Sequence, residues 1–200
     1  MAIRGVIFDL DGTLIDSRLD FDAMRREMGF PEGQPILEGI ERLSPGELRN
    51  QCLEILHAHE RRGAESATLI PGTSDLLAEL TRRRLPQAIL TRNSRAMTAL
   101  ALSRLGLVFS QVVAREDAPP KPDPAGLWTI CREWRLTVEE VVFIGDFRFD
   151  LLAGRAAGIR TILFAPDGPP DYAHEADFVV ERLMEIPAVV EKLNDCATRS

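Results

Sequence analysis

Ile3-Arg4-Gly5-Val6-Ile7-Phe8-Asp9-Leu10-Asp11-Gly12-Thr13 opens the chain with a short apolar run that stops at two carboxylates. A run of this length and character fits a strand covered on both faces. Strands of that kind belong to parallel sheets, where ligands bind at the carboxyl ends. Asp9 and Asp11 then stand at the mouth of the sheet, and Gly12 allows close backbone approach. The plainer alternative is an Asp-Gly turn that only ends a strand. An EF-hand loop fits poorly, because Gly12 comes too early and no helix precedes it.

The rest of the chain repeats the first run. Apolar stretches recur at Gln87 to Leu90, Gln111 to Ala114, Val141 to Ile144 and Thr161 to Phe164. Helical periods lie between them. Gly72 to Arg84 carries Leu76, Leu77 and Leu80, with Thr73 or Ser74 as cap; Ser94 to Leu105 ends at Gly106. Pro124 to Arg135, Leu151 to Ala157 and a last helix from about Arg182 to Leu193 follow. Alternating strands and helices predict an α/β fold, a doubly wound parallel sheet with a Rossmann-like core. Residues 16–71 break the rhythm and hold no convincing strand. Arg18 to Met28 is a predicted helix, and Gly29 to Pro35 a loop. Ser44-Pro45-Gly46-Glu47 has the form of a capping box opening a helix to about Arg62. The predicted organisation is a core of residues 1–15 and 72–200, with a small all-helical insertion over 16–71.

Composition narrows the function. With 200 residues and 45% hydrophobic side chains, the chain has material for one substantial core. No apolar run approaches the ~20 residues that span a bilayer, and no signal-peptide pattern opens the chain. A net charge of −7 disfavours nucleic acid and anionic membranes as partners, so an anionic substrate would need a local positive pocket. Cys52, Cys131 and Cys196 are odd in number and far apart, which suggests a reducing, cytoplasmic setting and argues against a zinc knuckle. Three histidines, badly spaced, do not build a metal site; carboxylate ligands would select a hard ion such as Mg²⁺.

Three further motifs carry chemistry. Gly145-Asp146 ends the fourth run, with Asp150 one helical turn later on the same side; a helix start with Asp146 as N-cap is the plain alternative. Lys121 sits within Pro119-Pro120-Lys121-Pro122-Asp123-Pro124, whose prolines stiffen the backbone that presents it. It is one of two lysines, beside 22 arginines, though a surface loop lysine is the ordinary reading. Thr91-Arg92-Asn93-Ser94 follows the second run and offers a hydroxyl and free backbone N–H groups to a phosphate; Ser94 as an ordinary N-cap accounts for much of it. Together these motifs supply carboxylates for a cation, and a hydroxyl and an ammonium for a phosphoryl group.

In this order, Asp9-x-Asp11-Gly12-Thr13, Thr91, Lys121-Pro122-Asp123-Pro124 and Gly145-Asp146-x-x-x-Asp150 resemble the haloacid dehalogenase-like superfamily, over nearly the whole chain. The insertion after the first motif resembles the helical cap of phosphoglycolate phosphatase-like members. The resemblance implies a nucleophile at Asp9 and a general acid/base at Asp11. It implies phosphoryl binding by Thr91 and Lys121. It also implies a Mg²⁺ site from Asp9, the Asp11 carbonyl and Asp146, supported by Asp150. The chain departs from the pattern where Arg92 comes between Thr91 and Asn93, where Phe147 replaces a small or hydroxyl residue, and in the shortness of the cap.

The expectation is a cytoplasmic, Mg²⁺-dependent phosphatase acting on a small phosphorylated metabolite through an aspartyl-phosphate, as a monomer or weak homodimer. Gly12, Thr13, Arg18, Arg92 and Asn93 are the substrate-binding candidates. A phosphonatase is rejected, because residues 16–71 hold no lysine for a Schiff base. Asp11 and Asp146 argue against a dehalogenase. A sugar phosphomutase and a non-catalytic binding module remain as alternatives.

Overall fold

A computed structural model describes residues 2–197. The chain runs β1 (Gly5–Phe8), β2 (Ile15–Asp16), α1 (Phe21–Met28), α2 (Ile36–Glu41), α3 (Glu47–Ser66), β3 (Thr68–Leu69), α4 (Thr73–Arg82) and β4 (Gln87–Leu90). It continues through α5 (Arg95–Leu105), β5 (Gln111–Val113), α6 (Ala125–Trp134), β6 (Val141–Gly145), α7 (Arg148–Ala157), β7 (Arg160–Phe164), β8 (Phe178–Val180) and α8 (Ile186–Ala197).

Six strands form one parallel sheet in the order β5-β4-β1-β6-β7-β8. Alternate side chains feed two cores. Val6, Phe8, Val142 and Ile144 meet α4, α5 and α8 on one face. Ile7, Val141 and Phe143 meet Leu127 and Ile130 of α6 and Ala153 of α7 on the other. Phe8 and Phe143 have no exposed surface, and burial of each contributes about 1.5–3 kcal/mol. Chain order reverses on either side of β1, which opens a crevice above the carboxyl ends of β1 and β6.

The inserted segment has its own cluster, in which Met24, Met28, Ile36, Ile40, Cys52 and Leu56 pack together. Several expectations need correction here. The segment is not wholly helical, because β3 pairs antiparallel with β2, placing Asp16 opposite Thr68. The two chain crossings are thus hydrogen-bonded to each other. The first helix begins at Phe21 rather than Arg18, since Arg18 has φ 51° and Asp20 caps the helix by accepting from Ala23 N at 2.8 Å. A short helix, α2, lies where no helix was predicted. Ser44 caps nothing; α3 starts at Glu47 without a side-chain cap and runs four residues past Arg62.

In the core, β8 was not predicted, and α7 starts at Arg148, three residues early. Neither Thr73 nor Ser74 caps α4: Gly72 holds that position, and Thr73 Oγ1 donates to Leu14 O at 2.8 Å. Cys52 and Cys131 are buried free thiols; the Cys196 side chain lies outside the described residues. No helix among the described residues is long and apolar enough to cross a membrane.

Candidate active site

The sheet gathers the motif residues because each follows a strand end. Asp9 comes directly after β1, and its N–H donates to Ile144 O at 2.8 Å, which ties it to β6. Asp146 follows β6, Thr91 follows β4, and Lys121 arrives on the proline-rich loop before α6. Lys121 Nζ donates to Asp9 Oδ1 at 2.5 Å and to Asp150 Oδ1 at 2.6 Å, with both side chains almost fully enclosed. The other Asp150 oxygen accepts from Phe147 N at 3.0 Å, so the first turn of α7 fixes it. Thr13 Oγ1 donates to Asp146 Oδ1 at 3.1 Å.

Two glycines make this closeness possible. A Cβ on Gly12, which has φ 87°, would run into the Asp146 carboxylate. A Cβ on Gly145 would run into the carboxylate of Asp150. Any side chain at either position would displace an acid from the cluster.

Asp11 stands beside this group. Asn93 Nδ2 donates to Asp11 Oδ2 at 3.4 Å, and Asp11 Oδ1 is buried without a partner. Asn93 is held in turn, its N–H donating to Thr91 Oγ1 at 3.1 Å and its Oδ1 accepting from Ser94 N at 2.8 Å.

Electrostatics follow from four acids around one ammonium. Burial raises Asp9 well above the usual carboxylate range, although Lys121 opposes it. Burial also raises Asp11, against Ser17, Asn93 and Lys121. Asp146 is pushed up to about 6 by burial and by Asp150. For Lys121, burial works to lower the value, but Asp150 and Asp9 outweigh it and hold the ammonium firmly charged. With one ammonium for four acids, full ionisation of the cluster would leave negative charge unmet. Asp9, Asp146 and Asp150 each bring a carboxylate oxygen within 4.8 Å of the others. All-oxygen donors whose ionisation needs a positive partner suit a hard divalent cation such as Mg²⁺.

Asp9, Asp11, Thr91, Arg92, Asn93, Lys121, Asp146 and Asp150 all line one cavity of about 380 Å³ between sheet and insertion. Three candidates stand elsewhere. Gly12 and Thr13 lie behind Asp146, with the Gly12 N–H already donating to Ile15 O. Arg18 lies outside the cavity, exposed and paired with Asp16 at 3.8 Å. Asp146 is not a helix cap, since Phe147 takes that position. Ser94 does occupy the N-cap of α5, without a side-chain hydrogen bond.

The cavity also has walls that sequence reasoning missed. Arg115 sits just beyond the third apolar run, where the strand-end rule that found Thr91 also points. Arg25, Glu60 and Phe149 carry no comparable signal, because helix packing brings them in.

The comparisons agree with this geometry. The family described as haloacid dehalogenase-like hydrolase matches residues 19–164. The chain belongs to that family. A haloacid dehalogenase-like hydrolase domain-containing protein of Arabidopsis thaliana is 32% identical, covering 94% of this chain and 84% of its own. The N-acetylmuramic acid 6-phosphate phosphatase of Pseudomonas putida is 28% identical, covering 96% and 97%. Among solved structures, a predicted phosphoglycolate phosphatase from Haemophilus somnus superposes with a TM-score of 0.74 at 18% identity, covering 94% and 97%. As a haloacid dehalogenase-like hydrolase, the chain is an enzyme, and its Rossmann-like sheet with the inserted segment shares the fold of the Haemophilus somnus structure.

Proposed function

We propose that this hydrolase is a Mg²⁺-dependent phosphatase that cleaves a small phosphomonoester through an aspartyl-phosphate on Asp9. The observation that carries the reading is Lys121, enclosed and bonded to both Asp9 and Asp150 beside Asp146, with Asp11 on the same cavity wall. Phosphatases among the relatives support it. In this reading residues 1–15 and 72–200 are the catalytic core and 16–71 the cap. The substrate is a soluble phosphorylated metabolite, met in the cytoplasm by a monomer or weak homodimer.

The Asp9 carboxylate attacks phosphorus in line, and the ester oxygen leaves. Asp11 protonates that oxygen, a task suited to a carboxyl whose burial keeps its proton to higher pH. Asp11 then takes a proton from the water that hydrolyses the acyl phosphate, returning Asp9 as a carboxylate. Asn93 orients Asp11 for both transfers. Lys121 and Thr91 hold the transferring oxygens. Mg²⁺, held by Asp9, Asp146 and the Asp11 carbonyl with Asp150 in support, would neutralise phosphoryl charge.

The test is turnover of p-nitrophenyl phosphate with and without Mg²⁺, for the native protein and for Asp9→Asn. We expect Mg²⁺-dependent turnover that falls by about a thousandfold or more in the variant. Substantial turnover by Asp9→Asn would remove the covalent step.

A further inference from the structure

The cap meets the core across the cavity through two ion pairs, and both tie up arginines that would otherwise face the substrate. Arg92, beside Thr91 at the end of β4, donates from Nη2 to both carboxylate oxygens of Glu38 in α2, at 2.7 and 2.8 Å. Its Nη1 is bonded to the Lys121 carbonyl, and its guanidinium lies 4.7 Å from the centre of the Phe149 ring. Arg115, just past β5, pairs with Glu60 of α3 at 2.5 and 3.2 Å. Glu60 is 4% exposed, a position a carboxylate holds only when it has a partner. Arg25, the third arginine of the wall, meets the exposed Asp22 at 2.6 Å and keeps a buried Nε without a partner, so the two inner pairs carry the argument. Between these pairs the cap side of the cavity is apolar, built from Leu19, Phe21, Met24, Ile36 and Leu56.

Resting on the phosphatase reading above, we propose that Glu38 and Glu60 are specificity-determining residues that select a phosphomonoester whose leaving group is uncharged and partly apolar. The phosphoryl end is served by Lys121 and the strand-end groups. Past that end, Arg92 and Arg115 each have their countercharge within the protein. A leaving group bearing a carboxylate, as glycolate does, would have to displace Glu38 or Glu60 from its arginine. Otherwise it would lie unpaired beside them in a partly enclosed cavity, and both outcomes are unfavourable. A neutral leaving group disturbs neither pair and gains from the apolar wall. The two glutamates thus reject anionic competitors by occupying the cations those competitors would need.

The experiment compares kcat/KM for phenyl phosphate and 4-carboxyphenyl phosphate, which differ by one distal carboxylate. It uses the full-length protein, Glu38→Gln, Glu60→Gln and the double variant, with Mg²⁺ present. The native protein should favour phenyl phosphate by about tenfold or more. Each Gln variant keeps the side chain's shape and frees one arginine. The preference should then move towards the carboxylated ester by about tenfold, chiefly through KM, and further in the double variant. A second readout needs no turnover. The product 4-hydroxybenzoate should raise the melting temperature of the variants more than phenol does, and should not do so for the native protein. Glu38 is partly exposed, so Glu38→Gln keeps the test valid if Glu60→Gln fails to fold. If the pairs serve only to hold the cap shut, both esters would change alike and the ratio would stay constant; that result overturns the proposal. A native preference for the carboxylated ester also overturns it. Absence of turnover of either ester by the native protein would instead defeat the phosphatase reading, and the proposal with it.

Discussion

Asp9 and Asp11 are two residues apart, and their surroundings differ in a way that suits the different roles proposed for them. Asp9 is bonded to a charged ammonium and is the nucleophile of the proposed mechanism. Asp11 is buried against Asn93, with one oxygen unpartnered. This difference predicts different kinetic defects. Asp11→Asn should keep much of its rate of phosphoryl transfer from p-nitrophenyl phosphate, whose leaving group needs little protonation. It should lose about a hundredfold or more with an alkyl phosphate. Rapid-quench measurement of the phosphoenzyme with both esters checks this, and equal defects would exclude the acid role. Arg18→Ala makes a contrasting case. Arg18 lies outside the cavity, so its removal should leave KM within about twofold, as expected for an exposed pair. Steady-state kinetics on one ester suffice to test it.

At the scale of elements, the site depends on how closely strand ends and helix starts approach. Gly145 closes β6 and touches the Asp150 carboxylate at the start of α7. Gly145→Ala should push Asp150 off Lys121, costing about 1–3 kcal/mol of stability and lowering kcat. Urea denaturation and steady-state assay would show both losses in the same variant. The cap is tied down by smaller interactions. Asp20 caps α1, the helix that carries Phe21 and Met24 into the cavity wall. Asp20→Ala should cost about 1 kcal/mol, and hydrogen exchange should place the loss in residues 21–28.

For the whole molecule, the acidic cluster links stability to pH and metal. Asp9, Asp11 and Asp146 are all raised by burial. A carboxyl raised in the folded state binds its proton more tightly folded than unfolded. Its contribution is therefore present in full below the ordinary value of 3.8, and it is lost as pH rises through the folded value, about 6 for Asp146. Without metal these groups should weaken the fold between about pH 4 and pH 7. Mg²⁺ binds the ionised forms, so its stabilising effect should be larger at about pH 7.5 than at about pH 5. Thermal melts at both pH values, with Mg²⁺ and with chelator, would measure the difference. An equal Mg²⁺ effect at both would mean that the cluster does not hold the ion.

The strands that carry the chemistry were legible in the sequence because each is a short apolar run cut off by a polar residue. Burial of both sheet faces forces that pattern, and the carboxyl-end rule then puts Asp9, Thr91 and Asp146 on one edge. Lys121 stood out because the chain otherwise writes its positive charges almost entirely as arginine. Residues whose place depends on contacts distant in sequence were not legible. Thr68 and Leu69 form a strand only because Ile15 and Asp16 lie opposite. The cap of α3 was misread because a capping box is a local signal, and the chain met Gly46 in a different conformation. Glu38 and Glu60 look like solvated helix charges in sequence; they matter because packing brings Arg92 and Arg115, 54 and 55 residues away, against them. Local pattern sets out strands and strand-end acids, since each depends on its immediate neighbours. Which cations remain free to meet a substrate is set by the docking of cap on core, a contact between segments that no local spacing encodes.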